Sequence, residues 1–113
     1  MKSYTDLNQS KKLAEILPLK SADMRFCFSH TLGGRITGHY PMIGSEPSLG
    51  TVPCWSLAAL LNVLPNGSDV VKEETDTENE KYMCTVLVND SLVTTFANNP
   101  VDACVAMLEK LTN

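Results

Sequence analysis

Cys27, Cys54, Cys84 and Cys104, with His30 and His39, are the residues of this 113-residue chain whose types could do chemistry. A cysteine nucleophile needs a base within hydrogen-bond reach and a lowered thiol pKa. Cys54 comes nearest to that description. It stands at the start of an expected helix, whose N-terminal dipole would favour the thiolate, and His30 or His39 could serve as its base. Against this, Cys54 falls on the apolar side of that helix with Leu57 and Leu61, where burial raises a thiol pKa. A small cysteine-dependent enzyme or small-ligand binder using Cys54 with a nearby histidine is therefore the alternative reading. The spacing Cys27-x-x-His30, with His39 and Cys54 further on, touches zinc chemistry. Zinc sites favour two closely spaced pairs, and here the second pair is missing.

Other motifs fall short in similar ways. Ser29-His30 and Ser45-Glu46 do not sit in a Gly-x-Ser-x-Gly elbow. Gly33-Gly34-Arg35 lacks the spacing of a phosphate loop and reads as a hairpin turn. The acidic run near residue 75 lacks the alternating carboxylates and central glycine of a calcium loop, and reads first as a solvated segment that could also mimic nucleic-acid charge. No residue is assigned a catalytic, cofactor-binding or metal-ligating role. Trp55, the only tryptophan, is the candidate interaction residue. It sits one step off the buried stripe of its helix, where a tryptophan either closes the rim of its own core or anchors an interface.

The elements that must position these residues are legible from their periods. A first helix is expected from Thr5 to Leu17, with Thr5 as N-cap and Pro18 as the stop. Met24 to Ser29 alternates as a strand, Gly33-Gly34 supplies a turn, and Arg35 to Tyr40 returns as its partner. Residues 41–52, with two prolines and two glycines, read as a crossing loop. A central helix is expected from Pro53, with proline in its first turn, to the stop at Pro65-Asn66-Gly67. Residues 69–80 read as a flexible acidic loop, Lys81 to Asn89 as a strand largely apolar on both faces and so central in its sheet, Asn89-Asp90 as a two-residue turn, and Leu92 to Phe96 as the partner strand. Asn99 caps a last helix opened by Pro100, whose apolar face carries Val101, Cys104, Val105, Leu108 and Leu111. The expected fold is a single α+β domain over 1–113: an N-terminal helix, then ββα-ββα, forming a four-stranded antiparallel sheet with helices packed on one face. The helices from Pro53 and Pro100 can be overlaid, which raises the idea of a duplicated unit.

Composition bounds the function classes. The apolar fraction of 43% and charged fraction of 19% are those of a folded globular chain. The formal charge of −4 is concentrated between positions 69 and 80, where six carboxylates stand against Lys72 alone. Lys and Arg elsewhere form no basic stripe, which speaks against nucleic acid as a partner. No signal-like or membrane-spanning apolar run is present, so the reading is cytoplasmic, with reduced core cysteines and no membrane partner.

Three phrases together resemble a group of uncharacterised small proteins encoded in prophages and mobile elements of gut bacteria: Tyr40-Pro41-Met42-Ile43-Gly44, the run Val52 to Pro65 around Pro53-Cys54-Trp55-Ser56-Leu57, and Asn99 to Leu108 around Asp102-Ala103. In that group a Pro-x-Trp-Ser-Leu-type helix, a strand pair and a closing Asp-Ala-type helix recur. The resemblance implies an architecture and a phage-related setting, and no catalytic residue. The resulting expectation is a non-enzymatic binding or accessory protein that acts on an unknown protein partner, with a homo-oligomer among the candidates because sheet edges invite pairing.

Overall fold

A computed structural model gives the fold and describes residues 2–44, 51–73 and 81–112, with the side chains of His30 and Thr37 left aside. The first helix, α1 (Leu7–Ile16), is capped by Asp6 and not by Thr5. Asp6 Oδ1 accepts from Gln9 N at 2.8 Å and Gln9 Oε1 accepts from Asp6 N at 3.1 Å, a reciprocal capping box. Thr5 is unavailable because its hydroxyl is buried and bonded elsewhere. The helix stops at Leu17, whose extended backbone is what the following Pro18 favours.

After a short 3₁₀ turn (Leu19–Ser21), β1 (Met24–His30) and β2 (Ile36–Ile43) form the expected hairpin, turning through Gly34 at φ +81°. A third strand was not expected. β3 (Val52–Cys54) pairs antiparallel with β1, matching Pro53 to Arg25 and Cys54 to Met24. The central helix therefore does not begin at Pro53. It is shorter: α2 (Leu57–Val63) starts only after Ser56, whose side chain accepts from Ala59 N at 3.2 Å. Serine is a stronger cap than the residues before it, and Pro53 is tolerated on an edge strand, where its missing N–H costs little.

The second half contains β4 (Asp69–Glu73), β5 (Lys81–Val88), β6 (Ser91–Ala97) and α3 (Pro100–Thr112). β4 lies inside the segment expected to be an acidic loop. Val70 and Val71 give it enough apolar content for β5 to recruit it, with Val70 opposite Cys84; the remainder of that segment, 74–80, falls outside the described residues. The β5–β6 turn is as expected: Asn89 and Asp90 take φ +49° and +66°, the left-handed pair a two-residue hairpin requires. Asn99 caps α3, its Oδ1 accepting from Asp102 N at 2.8 Å.

The expected four-stranded sheet and ββα-ββα order give way to two three-stranded antiparallel sheets, β2-β1-β3 and β4-β5-β6, within an α+β fold. In the first sheet the earliest strand is central; in the second, the middle one is. The overlay of the two helices thus does not extend to the sheets that precede them. α3 packs across β4, β5 and β6, α2 packs on α3, and α1 lies against β3 and α3. The main core cluster unites Leu13, Trp55, Leu60, Tyr82, Val86 and Met107 with the buried face of α3; of the described side chains of the β1–β2 hairpin only Phe26 is buried, outside that cluster and edge-on to Tyr4. That hairpin therefore stands beside the core. Among the described residues, no helix is long and apolar enough to cross a membrane.

Candidate functional site

Three of the four cysteines are placed where they pack the core. Cys54 is fully buried at the end of β3, not at a helix N-terminus. Its Sγ–H donates to the Thr5 carbonyl at 3.4 Å and its sulfur accepts from Thr5 Oγ1 at 3.6 Å. Burial pushes the thiol pKa above its ordinary value, and the hydrogen bonds from Thr5 and Ser10 offset this only in part. A thiol so placed is a poor nucleophile. Cys54 pairs with Met24, whereas His39 lies further along β2 opposite Phe28 and packs edge-on against Phe26 with ring centroids 5.3 Å apart. Cys27 points to the other face of the hairpin from His39, since it pairs with Tyr40 in an alternating register. Cys27, His39 and Cys54 are thus not brought together, and the described residues contain no cluster of three or more His, Cys, Asp or Glu able to hold a metal.

All four cysteines are free thiols. Cys84 on β5 and Cys104 on α3 face each other across the core, and Cys104 is pushed to high pKa by its hydrogen bond with Cys84, by burial and by the Cys84 charge. Cys27 is the only half-exposed one of the four. Alkylation of the native protein at neutral pH is expected to modify Cys27 first, with Cys54, Cys84 and Cys104 reacting only on unfolding. Mass mapping of the adduct checks this, and early labelling of Cys54 would return the cysteine-enzyme reading.

Trp55 is likewise fully buried, so the indole offers no surface. Its Nε1 donates to Ser21 Oγ at 3.0 Å. Beside α2 a shallow cleft of about 430 Å³ is lined by Lys20, Asp23, Gly44, Ala58 and Asn62 among others. Asp23 is the one carboxylate among those five, and it accepts from Ser56 N at 2.9 Å and from the Ser56 hydroxyl. That use holds the cap of α2 in place and leaves the cleft without a free acid or base from Asp23.

A charged knot joins the chain start to α3. Lys2 Nζ donates to Asp102 Oδ1 at 2.8 Å, to Gln9 Oε1 at 2.8 Å and to Asp6 Oδ2 at 3.1 Å. Burial raises the Asp102 carboxyl, but hydrogen bonds from Lys2, Gln9 and Asn99 outweigh it and hold the pKa below the ordinary range. Asp6 is lowered in the same way: desolvation opposes, and the Gln9 N–H and Lys2 prevail. For Lys2, desolvation is overcome by its bonds to the two carboxylates, so its pKa is raised. The signs fix the pH window. Carboxylates lowered in the folded state contribute stability above roughly pH 4 that is lost as pH falls through their folded pKa; a raised lysine contributes below roughly pH 10 and loses it as pH climbs through its own. Asp102→Asn should therefore flatten both limbs of the stability–pH curve measured by urea denaturation. Curves that stay parallel to wild type would remove the knot from the account.

The feature with no assigned partner is the outer face of the β4-β5-β6 sheet. α3 covers the face bearing Tyr82, Cys84 and Val86, while Val71, Met83, Leu87, Leu92 and Phe96 alternate to the other side. Val71 is 44% exposed, Leu87 57%, Leu92 71% and Phe96 49%. Thr85, at the centre of this face, has a buried Oγ1 with no hydrogen-bond partner among the described residues. The signal was present in the chain: Met83, Thr85 and Leu87 in phase, then Leu92, Thr94 and Phe96 in phase. The apolar second face of Lys81–Asn89 points to a central strand, and β5 is indeed central in the order β4-β5-β6, with its second face left exposed. Comparison with known proteins finds no matching family model, curated protein or solved structure.

Proposed function

We propose that the chain is a non-enzymatic binding or accessory module that acts through protein–protein contacts, in the phage-related setting its resemblance implies. The observation that carries this reading is the outer face of the β4-β5-β6 sheet, where exposed apolar side chains are grouped, with Lys81 Nζ 4.6 Å over the Phe96 ring. Large apolar side chains grouped on one solvent-facing sheet surface are uncommon in chains that work alone, and mark contact surfaces. Trp55 has no part in this contact, because it belongs to the core. Cysteine chemistry at Cys54 has weaker support: the thiol is buried, its pKa is raised, and His39 lies elsewhere on the hairpin.

The test is affinity capture from the cells that encode the protein, comparing wild type with Leu87→Lys. Leu87 is exposed near the turn end of the central strand, so the substitution should leave the circular dichroism spectrum unchanged. Recovery of a defined partner by wild type, reduced at least about tenfold by Leu87→Lys, is the expected result. Recovery of nothing, neither another protein nor a second copy of the chain, or a partner recovered equally by both, would end the reading.

A further inference from the structure

We infer that the partner at this sheet is a second copy of the chain, joined through β6. The two copies pair antiparallel about a two-fold axis at Thr94 and form one six-stranded sheet. The inference rests on the contact-module reading and names its partner.

The two edges of the sheet differ in kind. Edge strands are normally blunted by charge, proline, a bulge or a covering element. β4 carries Asp69, Lys72 and Glu73 in five residues. β6, Ser91-Leu92-Val93-Thr94-Thr95-Phe96-Ala97, has seven residues with no charge and no proline. It is the last strand in the order β4-β5-β6, so among the described residues its outer side has no strand neighbour. α3 packs over the inner face of all three strands and does not replace one.

The backbone of β6 is phased for self-pairing. The Asn89-Asp90 turn closes the hairpin on Val88 and Ser91, and hydrogen-bonded pairs then alternate along it. Ser91, Val93, Thr95 and Ala97 thus turn their N–H and C=O groups to β5, leaving those of Leu92, Thr94 and Phe96 aimed outward. With Thr94 opposite its own copy, these three residues meet their counterparts as hydrogen-bonded pairs. Leu92 then faces the second copy's Phe96 on the outer face, twice by symmetry. Aromatic–aliphatic cross-strand pairs of this kind stabilise a sheet. The two most exposed apolar side chains of β6 are thereby covered, and the bands Leu87–Leu92 and Met83–Phe96 become continuous across the axis. No like charges meet. Pairing through β4 about Val71 would instead set Asp69 against the second copy's Glu73, which repels.

Sedimentation of the full chain over a micromolar to hundred-micromolar series should give a particle of twice the chain mass. Thr94→Pro removes only an outward N–H, so the β5 ladder survives and the dimer does not. Thr94→Lys places two ammonium groups face to face and should also yield monomer. Mixing Thr94→Lys with Thr94→Glu should restore the dimer, because only a register that sets 94 against 94 opposes those charges. Circular dichroism of all three variants should match wild type. A monomeric wild type, dimers that persist in Thr94→Pro and Thr94→Lys, or a charge-swapped mixture that stays monomeric would each overturn the pairing. The outcomes separate from those of the function test. A monomeric wild type whose capture of another protein is lost in Leu87→Lys defeats the dimer and leaves the contact module; a Thr94-dependent dimer that captures nothing leaves self-association as its only contact.

Discussion

Trp55→Ala should cost about 3–5 kcal/mol of folding stability, the range for emptying a large aromatic site in a packed core. The net stability of such a domain is about 5–15 kcal/mol, so the variant stands near the edge of folding at ordinary temperature. Trp55 is fully buried and shares its cluster with Leu13, Leu60 and Met107, so its removal opens a cavity where α1, α2 and α3 converge. Its indole N–H also holds Ser21, which secures the 3₁₀ turn between α1 and β1. Trp55→Phe keeps most of the volume and frees a hydroxyl that is only half-buried, so it should cost far less, about 1–2 kcal/mol. Urea denaturation followed by circular dichroism measures both. Because Trp55 is the only tryptophan, wild-type fluorescence should be blue-shifted, resist acrylamide quenching and shift red on unfolding. A well-folded Trp55→Ala, or a readily quenched native indole, would return Trp55 to the surface.

Thr5→Val should cost about 2–4 kcal/mol while barely changing shape. Thr5 is fully buried, and its Oγ1 accepts from Trp55 N at 3.1 Å and shares a hydrogen bond with Ser10 Oγ at 2.7 Å. Thr5 N in turn donates to the Trp55 carbonyl at 2.9 Å. One small residue thereby ties the segment before α1 to the β3–α2 junction. Valine keeps the β-branch and removes the hydroxyl, stranding the buried Trp55 N–H and taking one hydrogen bond from the buried Ser10 hydroxyl. The orphaned N–H costs about 1–3 kcal/mol, and the lost hydrogen bond adds to it. Adding Ser10→Ala should recover part of the loss, because deleting both partners is cheaper than deleting one. Thr5→Ser keeps the hydroxyl and should lose about 1 kcal/mol, the scale of one buried methyl group. If Thr5→Val fell within about 0.5 kcal/mol of wild type in the same unfolding assay, the tie would carry no weight.

Legibility in the sequence followed the range of the interaction involved. α3 was read with its cap and first residue in place, since Asn99-Pro100, Asp102 and the apolar stripe all act within one or two turns. The β5–β6 hairpin was read with its turn, because Asn-Asp accepts left-handed geometry locally. β3 and β4 are not legible in the sequence. Three residues containing a proline, and Asp-Val-Val-Lys-Glu, have no period of their own and become strands only beside Arg25 and Met83 respectively. The N-cap of α1 moved from Thr5 to Asp6 because a residue 50 positions away, Trp55, claims the Thr5 hydroxyl. Nothing near Thr5 in the chain announces that claim.

For the candidate site the division is the same. The sequence by itself determined which side chains alternate onto each face of β5 and β6, that β6 carries no charge, and that Cys54 and Trp55 lie in an apolar run. These follow from residue type and a period of two. Only the tertiary structure decided which face α3 would cover and that four expected strands would become two separate sheets. It also decided that Trp55 would be enclosed, and that β6 rather than a protected strand would end its sheet. Those outcomes depend on which apolar surfaces find each other across long chain separations, and a helix can cover only one side of the sheet it packs on. The uncovered side, with its uncharged edge, is what remains for a partner.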